Sequence, residues 1–146
     1  MLQRIQTVYL LAAAAASSFV FVLPFFKGAA NDGASFFADG LFDTQDHVSL
    51  MAMATIAILD AVFTIFMFNN RKRQSLFCLM VAAANLLLIA VMLGVLSTQV
   101  PLSDALNRFS IGFGAFMPLL ATVFALLARK GVQADERLVR SADRLR

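Results

Sequence analysis

Four polar side chains sit in stretches otherwise too apolar for them. Asp60 lies within ATIAILDAVFTIF (54–66), and Thr64 follows it by one helical turn. Asn85 lies within LMVAAANLLLIAV (79–91), and Ser17 directly follows a run of five alanines, 12–16. An acid in hydrocarbon has two common uses. It relays a proton or ion, or it hydrogen-bonds a polar group on another helix and sets the register between them. Asp60 stands about eight residues before the basic turn NNRKRQ, and Asn85 about nine or ten beyond it. At 1.5 Å per residue both reach ~12–15 Å from that turn. A symmetric hairpin folded at 72–73 brings them level, with Ser17 and Thr64 near the same depth. The expectation is a buried polar cluster of Asp60, Asn85, Thr64 and Ser17, with Asp60 protonated and bonded to Asn85. A relay needs further titratable groups along a path, and no other Asp, Glu, His, Lys or Arg lies in the apolar windows. Register-setting is therefore favoured over transport.

The remaining reactive residues are few. One cysteine, Cys78, permits neither an internal disulfide nor a CxxC redox pair. One histidine, His47, excludes bis-histidine haem ligation within the chain. Asp39, Asp43, Asp46 and His47 lie close in sequence but lack the spacing of an EF-hand or a zinc site. They read as an acidic, solvated loop. No metal, no cofactor and no nucleophile–base pair is expected, and so no enzyme.

The elements that hold these residues follow from hydropathy. The chain is 60% hydrophobic and 14% charged, against about 25% charged in soluble domains. Charges avoid four windows, roughly Thr7–Phe26, Ser49–Phe68, Ser75–Leu96 and Ser110–Ala128. Each is near the ~20 residues that cross a ~30 Å hydrocarbon core. The first run continues through FVFVLPFF, past the ~7–15 apolar residues of a signal peptide, and is expected to be retained. The connections are too short for a soluble core. One membrane domain, 1–146, is expected, with an external loop 27–48 and a tail 129–146.

Charge assigns the sides. Arg4 precedes the first window, and Arg71, Lys72 and Arg73 join the second to the third. Six Lys and Arg follow the fourth. The first connection instead sets Lys27 against Asp32, Asp39, Asp43 and Asp46, a net of −3. The positive-inside rule then places both termini in the cytoplasm. The basic residues are not interleaved with aromatics, so the partner is anionic lipid rather than nucleic acid.

Two local features complete the pattern. Asp39-Gly40 between apolar residues in SFFADGLF is a hairpin signal, which predicts a small external β-hairpin around 35–43, with a short interfacial helix as the rival reading. In the tail, Leu138, Ala142 and Leu145 recur at helical spacing, and Gly131 permits a bend before them. A separate amphipathic C-terminal helix is expected. The fourth window opens SIGFGAFMP, where Gly112 and Gly114 allow close approach and Pro118 is placed at mid-depth.

QRIQTVYLL near the N-terminus and DERLVRSADRLR near the C-terminus resemble the paired end motifs of an uncharacterised membrane family of Bacteroidota, domain of unknown function 4293. The resemblance implies a four-span bacterial inner-membrane protein and carries no activity or substrate. With both ends cytoplasmic, Gln3, Arg4, Gln6, Asp135, Arg137, Arg140, Asp143 and Arg144 are expected to form one polar docking cluster. The fold expected is an all-α, left-handed antiparallel four-transmembrane-helix bundle. The function expected is a non-enzymatic accessory or scaffold protein, with lipid, another membrane or cytoplasmic protein, or a second copy as partner. The alternative is a small transporter or proton-coupled component using Asp60.

Overall fold

The computed structural model describes residues 2–28, 39–101 and 109–143. They are mostly helical. Helix α1 spans Leu2–Phe19, α2 Val48–Phe66, α3 Arg71–Gln99 and α4 Met117–Asp143. Three short strands, β1 (Phe26–Lys27), β2 (Leu41–Phe42) and β3 (Ser110–Ile111), pair antiparallel in the order β2-β1-β3. Three helical stretches, Val48–Asn69, Arg71–Thr98 and Phe113–Val139, are long and apolar enough to cross a membrane. The first apolar helix, Ile5–Phe19, is shorter.

Each helix buries a stripe whose members are alternately three and four residues apart. In α1 these are Gln6, Leu10, Ala13 and Ser17, and in α2 Leu50, Ala54, Ala57, Ala61 and Thr64. In α3 they are Gln74, Cys78, Val81, Asn85, Leu88, Met92 and Val95, and in α4 Ala121, Ala125, Ala128 and Val132. A 3.5-residue repeat is the seam of coiled-coil-like packing. The helices close a ring of neighbours: α1 packs on α2 and α4, and α3 packs on the same two. At mid-height the seams meet in a cluster of Ala14, Ala61, Val81, Ala82 and Ala125, drawn from all four helices. The opposite faces stay apolar, with Val8, Leu59, Leu87 and Val123 each more than half exposed. Apolar surface on this scale is what lipid or another protein covers.

Where the first span was expected to run to Phe26, the helix stops at Phe19. Ser18 bonds back to the Ala14 carbonyl at 2.8 Å, and Pro24 bars helical geometry for the residue before it. Residues 20–23 turn instead, and Thr44 Oγ1 donates to the Val20 carbonyl at 2.6 Å. The chain then enters β1, the central strand. Phe26 stands opposite both Phe42 and Ile111. Phe25 and Phe42, fully buried with ring centroids 5.9 Å apart, plug this end of the helices. The hairpin is therefore wider than expected. Gly40 has the positive φ, 78°, suited to its place after Asp39, but β2 pairs with 26–27. The limb at 35–38 lies outside the described residues.

The fourth window also begins differently. Residues 110–111 are strand, 113–116 a tight 3-10 turn, and α4 starts at Met117. Pro118 thus falls in the first helical turn, where its missing N–H costs nothing, and not at mid-depth. Gly112 and Gly114 donate to the carbonyls of Phe25 (2.8 Å) and Pro24 (3.1 Å). A Cβ at Gly112 would overlap the Pro24 carbonyl oxygen, and one at Gly114 that of Leu23. The close approach is to this extended segment, not to a helix.

At the far end, called here the basic end, a 3-10 turn at Met67–Asn69 and Asn70 alone separate α2 from α3. Asn70 caps α3 by accepting from Arg73 N–H at 3.2 Å. Arg71, Lys72 and Arg73 therefore sit in a first helical turn and not in a loop. The expected separate C-terminal helix is the end of α4, which runs unbroken through Gly131 to Asp143. A mid-helix glycine costs only about 1 kcal/mol, and here it makes room. A Cβ at Gly131 would stand 2.9 Å from the Gln6 Cγ of α1.

The acidic loop residues serve the backbone. Asp39 Oδ1 accepts from Leu41 N–H at 3.0 Å, and Asp43 Oδ1 from Gln45 N–H at 2.7 Å. Asp46 Oδ2 accepts from Asp43 N–H at 2.6 Å, and His47 Nδ1 accepts from Ser49 N–H at 3.2 Å. Burial pushes the Asp46 carboxyl above its ordinary range, assisted by the neighbouring Asp43 and Asp39 and opposed by the bond from Asp43 N–H.

Three outcomes are expected for stability, read as thermal unfolding in detergent. Gly112→Ala and Gly114→Ala destabilise by about 1–3 kcal/mol or more. Gly94→Ala, where a Cβ meets nothing within 4 Å, stabilises by roughly 0.5–1 kcal/mol. Asp46 takes up its proton more readily folded than unfolded, so its contribution falls as pH rises through the carboxylate range. Asp46→Asn keeps the acceptor for Asp43 N–H. It should match or exceed the parent Tm at neutral pH, and that advantage should close below about pH 4.

Candidate functional site

Two sets of polar side chains occupy this framework. The first lies at mid-height. Ser17 Oγ on α1 donates to Asn85 Oδ1 on α3 at 3.0 Å, and Asn85 Nδ2 donates to the Val81 carbonyl at 2.9 Å. Both residues are fully buried. Because α1 and α3 flank α2 and α4 on opposite sides of the ring, this bond crosses its centre. On α4, Thr122 Oγ1 turns back to the Pro118 carbonyl at 2.8 Å.

Asp60 is not a partner of Asn85. The expected bond between them is not formed. Asp60 lines an outward groove between α2 and α3, with Leu59, Phe63, Ala83, Ala84 and Leu87, and its carboxylate makes no hydrogen bond among the described residues. The reason is helical phase. The α2 seam runs through Ala57, Ala61 and Thr64, and Asp60 lies one residue, about 100°, away from Ala61. The expected level pairing is not kept either, because the chain turns at 67–70 and not at 72–73. Counted from Asn70, Asp60 is ten residues away and Asn85 fifteen, about 7 Å apart in height at 1.5 Å per residue. Thr64 is buried on the seam, its hydroxyl donating to the Asp60 backbone carbonyl at 2.7 Å. The run of small residues at 54, 57 and 61 carried this phase.

The second set gathers at the basic end. Arg71 Nη1 lies 3.1 Å from Asp135 Oδ2 and directs its N–H to the Asp135 backbone carbonyl at 3.3 Å. The two side chains are 31% and 15% exposed, so the pair is screened and contributes on the order of 1 kcal/mol. Gln74 Nε2 donates to the Thr64 carbonyl, and Gln133 Nε2 to Ser75 Oγ, both at 3.4 Å. Gln6 is 5% exposed, and among the described residues its Nε2 is buried without a partner, as is Arg129 Nε. Gln6, Arg71 and Gln74 line a cavity of about 480 Å³ whose other walls include Val8, Ile65, Phe66 and Phe68. Amides and a guanidinium beside apolar walls can bind an anionic or carbonyl-bearing group. Among the described residues, no three His, Cys, Asp or Glu side chains gather where they could hold a metal ion.

Of the expected docking cluster, Gln6 and Asp135 reach this end, and Arg137 is exposed with its Nε donating to the Gln133 carbonyl at 3.3 Å. Gln3 and Arg4 belong to α1, and Arg140 and Asp143 to α4. Their side chains, and Arg144 entirely, lie outside the described residues. Sequence reasoning missed Arg71, Gln74, Ser75, Arg129 and Gln133 as members. Gln74 continues the seam of Cys78, Val81 and Asn85, a signal that was available. The pairing of Arg71 with Asp135 spans 64 residues and left no local trace.

A double-mutant cycle on Ser17→Ala and Asn85→Ala, read by unfolding in detergent, should return a coupling energy of roughly 0.5–1.5 kcal/mol. The same cycle on Asp60→Ala and Asn85→Ala should return none.

No curated protein and no solved structure matches the chain significantly. A family model does match, over residues 2–145, nearly the whole sequence. The chain belongs to the family described as domain of unknown function DUF4293.

Proposed function

We propose that the chain is a non-enzymatic scaffold or accessory protein of a bacterial inner membrane, crossing it four times with both termini in the cytoplasm. The fourth crossing is α1, whose 18 residues rise ~27 Å. Its outer face, with Ile5, Val8, Leu11 and Phe19 exposed, matches the lipid-facing character of the other three helices.

One observation carries the reading: the centre is packed. Alanines from all four helices and Val81 from α3 meet there, and the Ser17–Asn85 bond closes the middle. Transport through Asp60 would need a wet route, whereas the groove that Asp60 lines is walled by Leu59, Phe63 and Leu87. The chemistry on offer lies at the basic end, where Lys72, Arg73, Lys130 and Arg137 are exposed around the Arg71–Asp135 pair. Such a surface suits anionic headgroups and an acidic face on a membrane or cytoplasmic protein.

The test is gentle detergent extraction of tagged protein from its native membrane, with co-purifying chains identified. A partner should be retained by the parent and lost on combined Lys72→Glu, Arg73→Glu and Lys130→Glu, with expression unchanged. A parent that purifies alone would count against the reading.

A further inference from the structure

We propose that the groove between α2 and α3 receives a second copy of this chain, and that the interface is closed by a hydrogen-bonded pair of Asp60 carboxyls, one from each copy. The proposal rests on α2 and α3 being membrane spans, and not on any partner at the basic end.

The groove has a volume of about 1000 Å³. Small residues, Ala83 and Ala84 on α3, leave space beside projecting Leu59 on α2, which is 62% exposed. A second groove, of about 410 Å³ between α1 and α4, is lined by Ala12, Ala15, Phe124 and other apolar residues. Acyl chains fill that second groove without penalty. The first differs by one group. Asp60 stands near the middle of Val48–Asn69, in the driest part of a bilayer, with no hydrogen-bond partner for its carboxyl among the described residues. An acyl chain cannot supply one, and an unpartnered acid at that depth is costly.

The chemistry of the group selects the occupant. None of the stretches 5–26, 48–68, 75–98 and 110–128 contains Lys, Arg or His, so this sequence brings no cation to that depth. A neutral carboxyl carries one donor and one acceptor and is therefore complementary to itself. A two-fold axis places the same residue opposite itself, so two Asp60 side chains exchange two hydrogen bonds and leave neither unmet. The same axis lets Leu59 of each copy approach the space beside Ala83 and Ala84 of the other. This is small-residue packing of the kind that brings membrane helices together.

The experiment uses the full chain with Cys78→Ala, bearing Leu59→Cys in the groove or Leu119→Cys on the exposed face of α4 as control. Mild oxidation in native membranes should link Leu59→Cys chains into homodimers and leave the control monomeric. In lipid vesicles, Asp60→Asn, which keeps a donor and an acceptor, should retain dimers. Asp60→Leu should weaken dimerisation at least tenfold. Monomers of the parent at every protein-to-lipid ratio would overturn the proposal, as would Asp60→Leu dimers as tight as the parent's. A Leu59→Cys link to a different chain would overturn it in favour of a foreign helix. Resistance of the parent to carbonate extraction is measured alongside. Its loss removes the span reading itself, whereas carbonate-resistant monomers remove only the dimer.

Discussion

Close approach of helix backbones is the constraint on which this molecule depends. In hydrocarbon, burying apolar side chains between helices gains little over leaving them in lipid, so association relies on contact and on a few polar bonds. Ala13, Ala54, Ala57, Ala61, Ala121, Ala125 and Ala128, none of them exposed, make that contact by letting four axes draw together. Once the axes are close, the centre has room for one amide and one hydroxyl. Asn85 and Ser17 fill it as a bonded pair. A larger residue at any of these alanines would push the seam apart and leave Asn85 without its partner.

Asn85 and Asp60 differ above all in facing. Each is the one strongly polar group in its stretch. Asn85 satisfies its bonds inside its own chain, with Ser17 and the Val81 carbonyl. Asp60 does not. A residue's level follows from where the chain turns, here 67–70, while its facing follows from which neighbours are small. At residue 60 a rotation of about 100° separates an internal fastener from a group turned outward.

That distinction also marks how far the sequence could be read. The three long apolar helices and the tight basic turn were legible because each is a local pattern of hydropathy or sign. The end of α1 at Phe19 was partly legible, since Pro24 stands in plain view. The pairing of 26–27 with 41–42 and 110–111 was not, because Asp39-Gly40 marks a turn without naming its second limb. The unbroken α4 was misread at Gly131, where a missing side chain answers to Gln6 on α1 and not to a change of direction. The basic-end contacts of Arg71 with Asp135 and of Ser75 with Gln133 join segments about 60 residues apart. Nothing local encodes such contacts.

The order of the small sheet bears on how the chain is made. Its central strand, β1, emerges from the ribosome first, and its two neighbours come from residues 41–42 and 110–111. Phe26 can meet Phe42 early, but its other edge must wait for Ile111, after two further helices have been made. Gly112 and Gly114 reach the same segment at that moment, through the carbonyls of Phe25 and Pro24. The polar backbone of residues 24–27 is therefore half-clothed throughout synthesis, and the arrival of the last helix is what latches the first one shut.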